Sequence, residues 1–391
     1  MIFHSTGTFP SAGHPAGVNA FVNAADAFLE LRGLVPPEGA EAGGLADFSL
    51  TAARGEKLCL LAREGGAARA ALAMVAGTLR PQHGEIILNG RRLRETPPHR
   101  RGFGYVPARA AWPRFRRLAA YLAAELARET PTTERRATKV ERLLTLVGLA
   151  GYGGHRLRAL APSEGFRAAL AHALIAAPSL LLIEEPDEGF AEPERQMLAT
   201  LLRGGPAAGV TTLIAARTAA TVFALADRAL VLHAGRIAQL APPQILYDAP
   251  ISLAVAEALG EVNVLSGVLI EHDDDIARIR LENGAIVSGS LAESIAIGQR
   301  SLLMVRPERI AVAAVAAEEL GEGALSAVLR KIIPLGAQTR LLASLGGGVD
   351  IVITRPASAV LRGLQPGREM AIAWSAPHAR LYAASPPADT A

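Results

Sequence analysis

Apolar residues change their spacing along this chain, and each spacing predicts a different kind of element. Between residues 28 and 88, short apolar runs are separated by turn residues, which predicts strands. Residues 117–165 repeat apolar positions at helical intervals, which predicts a helical region. From 168 to 237 the predicted helices and strands alternate, which is typical of a parallel sheet covered by crossover helices.

The two ends of the chain have a different texture. Residues 1–26 are rich in Gly, Ser, Pro and Ala, which predicts a loose extension. After about residue 262, short alternating segments are separated by Gly and Asp or Asn turns, which predicts a small β-barrel. The predicted organisation is therefore a loose extension over 1–26, an α/β domain over 27–250 with a helical subdomain at about 107–165, and an all-β domain over 251–391.

Composition narrows the class of protein. Apolar residues make up 50% of the 391 residues, which predicts a folded protein with more than one core. The formal charge of +3, with no long basic run, gives no support for a nucleic-acid partner. Cys59 is the only cysteine, which rules out an intrachain disulfide or a cysteine-based metal cluster. No stretch predicts a secretory signal or a spanning helix, so we expect a cytoplasmic protein that would reach a membrane through a partner.

Residues 60–70 carry the first candidate chemistry. An apolar strand leads into a helix there, which is the setting of a G-x-x-x-x-G-K-[ST] phosphate-binding loop. In that register, Ala68 occupies the lysine position and Arg69 the Ser/Thr position. Gly65 and Gly66 retain backbone freedom for an anion nest, and a plain strand-to-helix turn is the alternative interpretation. The frame of a phosphate loop is thus present without its lysine.

Several further segments agree, in order, with one known family. They are Arg54-Gly55-Glu56, Met74-Val75-Ala76-Gly77, Arg101-Gly102-Phe103-Gly104-Tyr105-Val106, Leu180-Leu181-Leu182-Ile183-Glu184-Glu185-Pro186, Leu225-Ala226-Asp227-Arg228 and Val305-Arg306-Pro307-Glu308. With these segments the chain resembles the nucleotide-binding subunit of an ABC importer of the sugar/polyamine type, from about Phe28 to Leu381. The resemblance implies a P-loop NTPase-like ABC ATPase domain of the α/β class with a helical subdomain, followed by an all-β, OB-like TOBE barrel.

The resemblance also implies cofactors, partners and a location. In this family two subunits sandwich two ATP molecules with Mg²⁺, and each site combines the phosphate loop of one subunit with the signature loop of the other. The implied partners are permease subunits, a paralogous ATP-binding subunit or a second copy of the chain, and indirectly a solute-binding protein. The implied location is the inner face of the cytoplasmic membrane. We expect the permease to dock at residues 112–127, where Arg114, Arg116 and Arg117 cluster, and an ordinary solvated helix start explains that cluster equally well.

Most positions that contact nucleotide in this family carry other residues here. Glu38 stands near the position of the aromatic that stacks on adenine, Ala108 replaces the Q-loop glutamine, and Ala191 replaces the D-loop aspartate. The signature loop falls on residues 160–164, where its glycines are absent. Glycines matter there because the backbone must approach the partner's phosphate closely. Ser163, in that signature turn, is interpreted as a helix N-cap rather than a phosphate ligand.

Two carboxylates are the exception. Glu184 replaces the Walker B aspartate with a side chain one methylene longer, which leaves a water-bridged Mg²⁺ contact open. Glu185 matches the residue that polarises the attacking water. Arg217 stands at the switch-histidine position, and a guanidinium cannot cycle its proton near neutral pH. The plainer interpretation of the pair is retained strand-end geometry that hydrogen-bonds the empty loop.

Together these replacements predict a degenerate ATP-binding subunit of a solute importer. We expect it to pair with an active paralogue and to dock on the membrane permease, without hydrolysing ATP alone, because several groups that act as a unit are missing. Binding of ATP and Mg²⁺ by this chain is expected to be weak or absent. One alternative is a regulatory or scaffold protein without a role in transport. Another is a divergent active ATPase that uses Arg63, Arg69 and Glu185.

Overall fold

The computed structural model describes residues 27–63, 66–113, 115–126, 132–186, 192–204, 207–273, 276–313, 323–359 and 364–384. The predicted loose extension over 1–26 lies outside the described residues. The chain divides into two compact units, with the boundary between Leu246 and Tyr247. Within the described residues, no helix combines the length and apolar character needed to cross a bilayer.

The N-terminal unit is α/β. Its strands are β1 (Ala27–Val35), β2 (Phe48–Ala53), β3 (Lys57–Leu61), β4 (His83–Leu88), β5 (Arg91–Arg92), β6 (Phe103–Val106), β7 (Leu180–Glu184), β8 (Thr211–Ala216), β9 (Arg228–His233) and β10 (Arg236–Ala241). Its helices are α1 (Ala67–Ala76), α2 (Leu118–Glu125), α3 (Thr133–Leu146), α4 (Pro162–Leu174), α5 (Glu192–Gly204) and α6 (Ala219–Leu225), and α7 (Pro243–Asp248) crosses the boundary.

Two sheets organise this unit. The larger has the order β10-β9-β3-β8-β7-β6, and its five strands from β9 to β6 run parallel. Every residue of β3 and of β8 is buried, as expected for central strands covered on both faces. The smaller sheet, β2-β1-β4-β5, is antiparallel. The predicted alternation of strand and helix is therefore confirmed.

The C-terminal unit is built mainly from strands. After the short helix α8 (Leu253–Ala258), its strands are β11 (Asn263–Asp273), β12 (Ile276–Leu281), β13 (Ile286–Leu291), β14 (Arg300–Val305), β15 (Ala311–Ala313), β16 (Leu325–Pro334), β17 (Gln338–Ser344), β18 (Asp350–Pro356), β19 (Glu369–Ala373) and β20 (Ala379–Ala383). Strands β11-β12-β13-β20-β14 close a barrel, and β15-β19-β16-β17-β18 form a second sheet. The predicted barrel is present, and the second sheet extends it.

The Asn263 side chain joins the barrel to the second sheet. Its amide nitrogen donates to the Val352 carbonyl (2.8 Å), and its amide oxygen accepts from the Val352 N–H (2.7 Å). The amide thereby supplies a donor for the carbonyl and an acceptor for the N–H of Val352 in β18. One shared apolar core, including Leu269, Ile279 and Ile353, fills the space between the two sheets.

Two glycines allow close packing around helices α1 and α4. Gly77 ends α1 with a left-handed backbone (φ 86°), and the Arg101 guanidinium covers it. A Cβ at Gly104 would lie 2.6 Å from the Ala173 carbonyl oxygen, so glycine is needed where α4 crosses β6. The helix predicted from residue 168 in fact begins at Pro162, because proline is suited to the first helical turn.

Candidate functional site

The larger sheet gathers most of the predicted site residues at one edge. Strands β3, β6, β7 and β8 are parallel neighbours, so their carboxyl ends lie together. Ala68 follows β3, Ala108 follows β6, Glu185 follows β7 and Arg217 follows β8. Ligands of open α/β sheets bind at this edge. The topology therefore assembles the positions that the sequence singled out one by one.

The turn after β3 presents a methyl group at the lysine position. Ala68 is 5% exposed and packs into the core formed by α1 and the sheets. Arg69 is exposed. The Gly66 backbone lies against the preceding segment, because a Cβ added there would meet the Glu41 carbonyl oxygen at 2.9 Å. Gly65 lies outside the described residues.

The Glu184 carboxylate is held by neighbours at the same edge. The Tyr105 hydroxyl donates to Glu184 Oε1, and the Ala108 backbone N–H lies 3.4 Å from Oε2. Burial and the bond to Glu184 raise the pKa of Tyr105, which therefore remains a neutral donor. Both partners belong to β6 and the segment just after it. The expected hydrogen bond of a retained carboxylate was to the empty loop after β3, and it stays a prediction.

Tyr105 was not singled out by the sequence, although its position carried a signal. It lies on β6, directly opposite Leu182 of β7, and is half-buried. A half-buried tyrosine on a parallel strand needs a partner for its hydroxyl. The acidic end of the next strand is the natural acceptor, but strand order had to be known before the two could be paired.

Glu185 has an unusual backbone and a buried side chain. Its φ is +38°, in the left-handed region that a non-glycine residue rarely adopts. Its N–H donates to the Ala215 carbonyl (2.8 Å). Its carboxylate Oε2 lies 3.9 Å from Nη1 of Arg217, and the two side chains are 10% and 53% exposed. The structure therefore brings the predicted catalytic carboxylate and the switch-position arginine into one weak ion pair.

The turn at residues 160–164 does not have the N-cap residue that we expected for helix α4. Ser163 lies inside the first turn of α4, and the N-cap is Ala161, so the interpretation of Ser163 as an N-cap is wrong. Glu164 closes the turn instead, with its Oε2 2.8 Å from the Ala161 N–H. That hydrogen bond, followed by one from Tyr152, lowers the pKa of Glu164. Helix α4 therefore starts with a hydrogen-bonded carboxylate, at the position where the signature loop of the family would present glycine backbone.

The remaining candidates lie on other surfaces. Glu38 is exposed on the turn between β1 and β2, and Arg116 and Arg117 are exposed before α2. Near α2, Trp112 and Tyr121 meet edge to face, with ring centroids 5.7 Å apart. Ala191 and Arg114 lie outside the described residues.

Polar partners for a metal are sparse at this edge. Within the described residues, no group of three or more His, Cys, Asp or Glu side chains is placed to hold a metal ion. Among the positions aligned with the family's nucleotide contacts, this edge carries methyl groups at Ala68 and Ala108, the carboxylates of Glu184 and Glu185, and the partly exposed Arg217. This donor set lacks the buried ammonium and the hydroxyl that hold Mg-ATP in P-loop proteins.

Known families match both units. Residues 45–188 match the ABC transporter family, and residues 303–381 match the TOBE domain. The spermidine/putrescine import ATP-binding protein PotA of Rubrobacter xylanophilus is 28% identical over 85% of this chain and 88% of its own length. The sulfate/thiosulfate import ATP-binding protein CysA of Mycobacterium tuberculosis is 32% identical over 77% and 79%. The glucose import ATP-binding protein GlcV of Saccharolobus solfataricus is 28% identical over 68% and 74%.

Solved structures agree on the fold. An ATP-binding cassette of an ABC transporter, in its ADP conformation, has a TM-score of 0.52 at 16% identity, over 59% of this chain and 98% of its own. CbiO1 of Clostridium perfringens, part of the ABC transporter complex CbiONQ, has a TM-score of 0.50 at 17% identity, over 56% and 90%. Sequence likeness over most of both chains, together with this fold, decides the family. The chain belongs to the import ATP-binding subunits of ABC transporters and carries their C-terminal TOBE domain.

Proposed function

We propose that this chain is a non-hydrolysing ATP-binding-type subunit of an ABC solute importer, which pairs with an active paralogue and docks on the permease. The observation that supports the proposal most directly is the buried methyl group of Ala68 at the lysine position. A P-loop lysine neutralises the β and γ phosphates, and a methyl group in the protein core offers them neither charge nor hydrogen bond.

The carboxylates support the same conclusion. Glu184 is bound by Tyr105 and the Ala108 N–H, and Glu185 lies beside Arg217. Each therefore has a partner within the chain and needs no metal ion for its charge. Two carboxylates that share one weakly paired guanidinium keep a net negative charge, which would also repel a polyphosphate. Loss of one well-placed electrostatic donor typically costs about a hundredfold in rate, and several are replaced here.

Pairing with a competent paralogue would give one composite site a complete phosphate loop. In that site this chain would supply only the turn at residues 160–164, where Glu164 is fixed to the Ala161 N–H. In the other site this chain would supply Ala68 and the two carboxylates. Any turnover by the assembly is therefore expected at the first site. In such an assembly the chain would lie on the inner face of the membrane, held there by the permease.

Family membership does not select the solute. The relatives' names cover polyamines, sulfate or thiosulfate, and glucose, which carry positive, negative and no charge. The permease and the solute-binding protein are the components that would make this choice.

The deciding experiment compares two variants in the co-expressed assembly of this chain, its paralogue and the permease. Glu185→Gln is expected to leave ATP hydrolysis within twofold of wild type. The matched control is Glu95→Gln, since Glu95 is an exposed carboxylate that pairs with the exposed Arg80. A hundredfold loss in Glu185→Gln alone would refute the proposal. Failure of the three proteins to co-purify, with transport unchanged after deletion of this chain, would refute it as well.

A divergent active ATPase is the second candidate, and the surroundings of Arg69 favour it. Burial and Glu184 raise the pKa of Tyr105, and the charge of Arg69 opposes them to a smaller extent, which is consistent with a guanidinium near the carboxylates. The N-cap of helix α1 is also Gly66, which has no side chain to cap the helix, and the N–H groups of such a turn attract anions. Calorimetry with Mg-ATP separates the two candidates. The first expects no heat of binding at millimolar nucleotide, and the second expects saturable binding that Arg69→Gln abolishes.

A further inference from the structure

An aromatic cluster joins helices α2 and α4 in the N-terminal unit. The Tyr121 ring of α2 lies at its centre, with its centroid 5.7 Å from that of Trp112 and 5.1 Å from that of His172 on α4. Trp112 also approaches α4 itself, because a Cβ added at Gly165 would lie 3.5 Å from Trp112 Nε1. Gly165 and His172 are about two helical turns apart, so they share one face of α4. That face therefore packs against the two aromatic rings.

His172 also faces a carboxylate on α2. Its Nε2 lies 3.8 Å from Oε1 of Glu125, and the two side chains are 33% and 52% exposed. A neutral imidazole offers this carboxylate no opposite charge, whereas an imidazolium forms an ion pair with it. An imidazole takes up its proton between about pH 5 and 8, where a carboxylate stays ionised. The contact between the two helices therefore gains an ion pair as the pH falls.

Two further features favour a positive charge on His172. It lies in the last turn of α4, where the helix dipole attracts a cation. Its ring is tilted by 33° from the plane of Tyr121, and the centroid distance is within the range of about 6 Å in which a cation is attracted to an aromatic face. Partial burial acts against the charge, but a third of the side chain stays in water, which limits that cost.

Other charges near the cluster come from the segment before α2 and from α4 itself. Burial and then the Glu125 charge raise the pKa of Tyr121, while Arg116 acts in the opposite direction. Arg116 is exposed, so solvent and salt weaken its repulsion of an imidazolium. On α4, the Arg167 guanidinium donates to two backbone carbonyls. Among the described residues, the carboxylate at ion-pair distance from His172 is Glu125.

Strand β6 and helix α3 also pack against α4. Strand β6 meets it where Gly104 lies against the Ala173 carbonyl, and the ionisable side chain of β6, Tyr105, donates to Glu184. Helix α3 buries three apolar residues, and its charged side chains are exposed or half-buried. The charge of His172 is therefore governed mainly by α2 and by the end of its own helix.

We propose that protonation of His172 tightens the contact between α2 and α4, which makes this contact a pH-sensitive switch within the helical subdomain. The contact is tightest at the acid end of the range from about pH 5 to 8 and loosens as the pH rises, because the ion pair and the cation–aromatic attraction are lost with the proton. Loosening releases α2 and Trp112 together, since the Tyr121 ring contacts both Trp112 and His172. These contacts lie inside one unit and require neither a partner nor a nucleotide.

The test is amide hydrogen exchange on the purified full chain across the range from about pH 5 to 8, with each rate corrected for its intrinsic pH dependence. Protection of the α2 amides is expected to fall about three- to fivefold from the acid to the alkaline end, because ion pairs, cation–aromatic contacts and helix-end charges are each modest. The amides of β3, a strand that is buried at every residue, serve as the reference and should keep their protection.

Two variants fix the switch in opposite states. His172→Gln carries no charge at any pH, so α2 should keep the lower protection of the alkaline wild type throughout. His172→Lys stays charged throughout, so α2 should keep the higher protection. The matched control is His155→Gln, since His155 also stacks on a tyrosine, with its ring centroid 4.7 Å from that of Tyr152, but lies outside the cluster. This control should respond to pH as wild type does.

Glu125→Gln isolates the ion pair from the other two contributions. It is expected to reduce the pH effect on α2 about twofold, since the Tyr121 face and the end of α4 still favour the charged ring. Protection of α2 that is independent of pH or rises with pH in wild type would overturn the proposal. So would a pH effect of wild-type size in either His172→Gln or Glu125→Gln.

Discussion

Each unit of the chain contains a buried arginine that donates to backbone carbonyls, and the two arginines have different surroundings. In the N-terminal unit, Arg101 is 6% exposed and donates to Met74, Val75 and Thr96. Its guanidinium packs against Gly77, so it closes the end of helix α1. In the C-terminal unit, Arg306 is equally buried but adjoins a cavity and two further arginines. A buried arginine that donates to carbonyls is therefore a structural clamp in both units, and the clamp in the C-terminal unit also lines a cavity.

The largest effect in this comparison is expected for Arg101, the clamp of the N-terminal unit. Arg101→Met leaves the two buried carbonyls of Met74 and Val75, and the part-buried carbonyl of Thr96, without this donor, and each unsatisfied buried group costs about 1–3 kcal/mol. We expect a loss of about 3 kcal/mol in the free energy of unfolding of the N-terminal unit, measured by urea unfolding with hydrogen exchange to assign the unit. The control is the exposed neighbour in Arg100→Met, which should stay near wild type. A cost below about 1 kcal/mol would contradict the role of Arg101 as a clamp.

A smaller effect is expected in the C-terminal unit. Arg306→Met also removes the donor for two carbonyls, but Tyr247 lines the adjoining cavity, so water there can replace the lost donor at the Tyr247 carbonyl. The expected loss is about 1–2 kcal/mol, read from exchange of the barrel amides, with Arg300→Met as the exposed control. A cost as large as that of Arg101→Met would mean that the cavity excludes water, and the contrast between the two arginines would fail.

The smallest effect is expected for an arginine that is only half-buried. Arg217 is 53% exposed, and its Nη1 lies 3.9 Å from the Glu185 carboxylate. Pairs of this kind contribute about 0–1 kcal/mol, so Arg217→Gln should change the free energy of unfolding by less than about 0.5 kcal/mol. Raising the salt concentration should leave the variant and wild type equally stable. A loss above about 1 kcal/mol would place Arg217 with the buried clamps instead.

Much of the fold could be predicted from local patterns. The buried apolar run of β3, the alternation through β7, α5 and β8, and the change to short strands after β11 are all visible in the order of residues. Boundaries were less certain, as the start of α4 at Pro162 shows. The N-cap of that helix was assigned to Ser163 because serine is a common N-cap residue. In the structure the N-cap is Ala161, and the Glu164 side chain accepts a hydrogen bond from the Ala161 N–H.

The candidate site was predicted position by position, but its contacts were not. Alignment with the family's motifs located the site positions, which are Ala68, Ala108, Glu184, Glu185 and Arg217. The parallel order of the strands brought these positions to one edge of the sheet. The bond between Tyr105 and Glu184 joins residues 79 positions apart, so no local pattern could reveal it. Sequence spacing describes an element, whereas a side-chain partner depends on which elements become neighbours.

The sequence by itself determined the types of elements, the methyl groups and carboxylates at the nucleotide positions, and the absence of a disulfide, because these follow from residue identity and period. Tertiary structure alone decided that Arg306 would meet Tyr247, 59 residues away, and that Arg309 and Arg380 would face the same cavity. The physical reason is burial. An arginine on a sequence is a solvated cation by default, and only the packing of distant strands removes its water and leaves a charge in need of a partner.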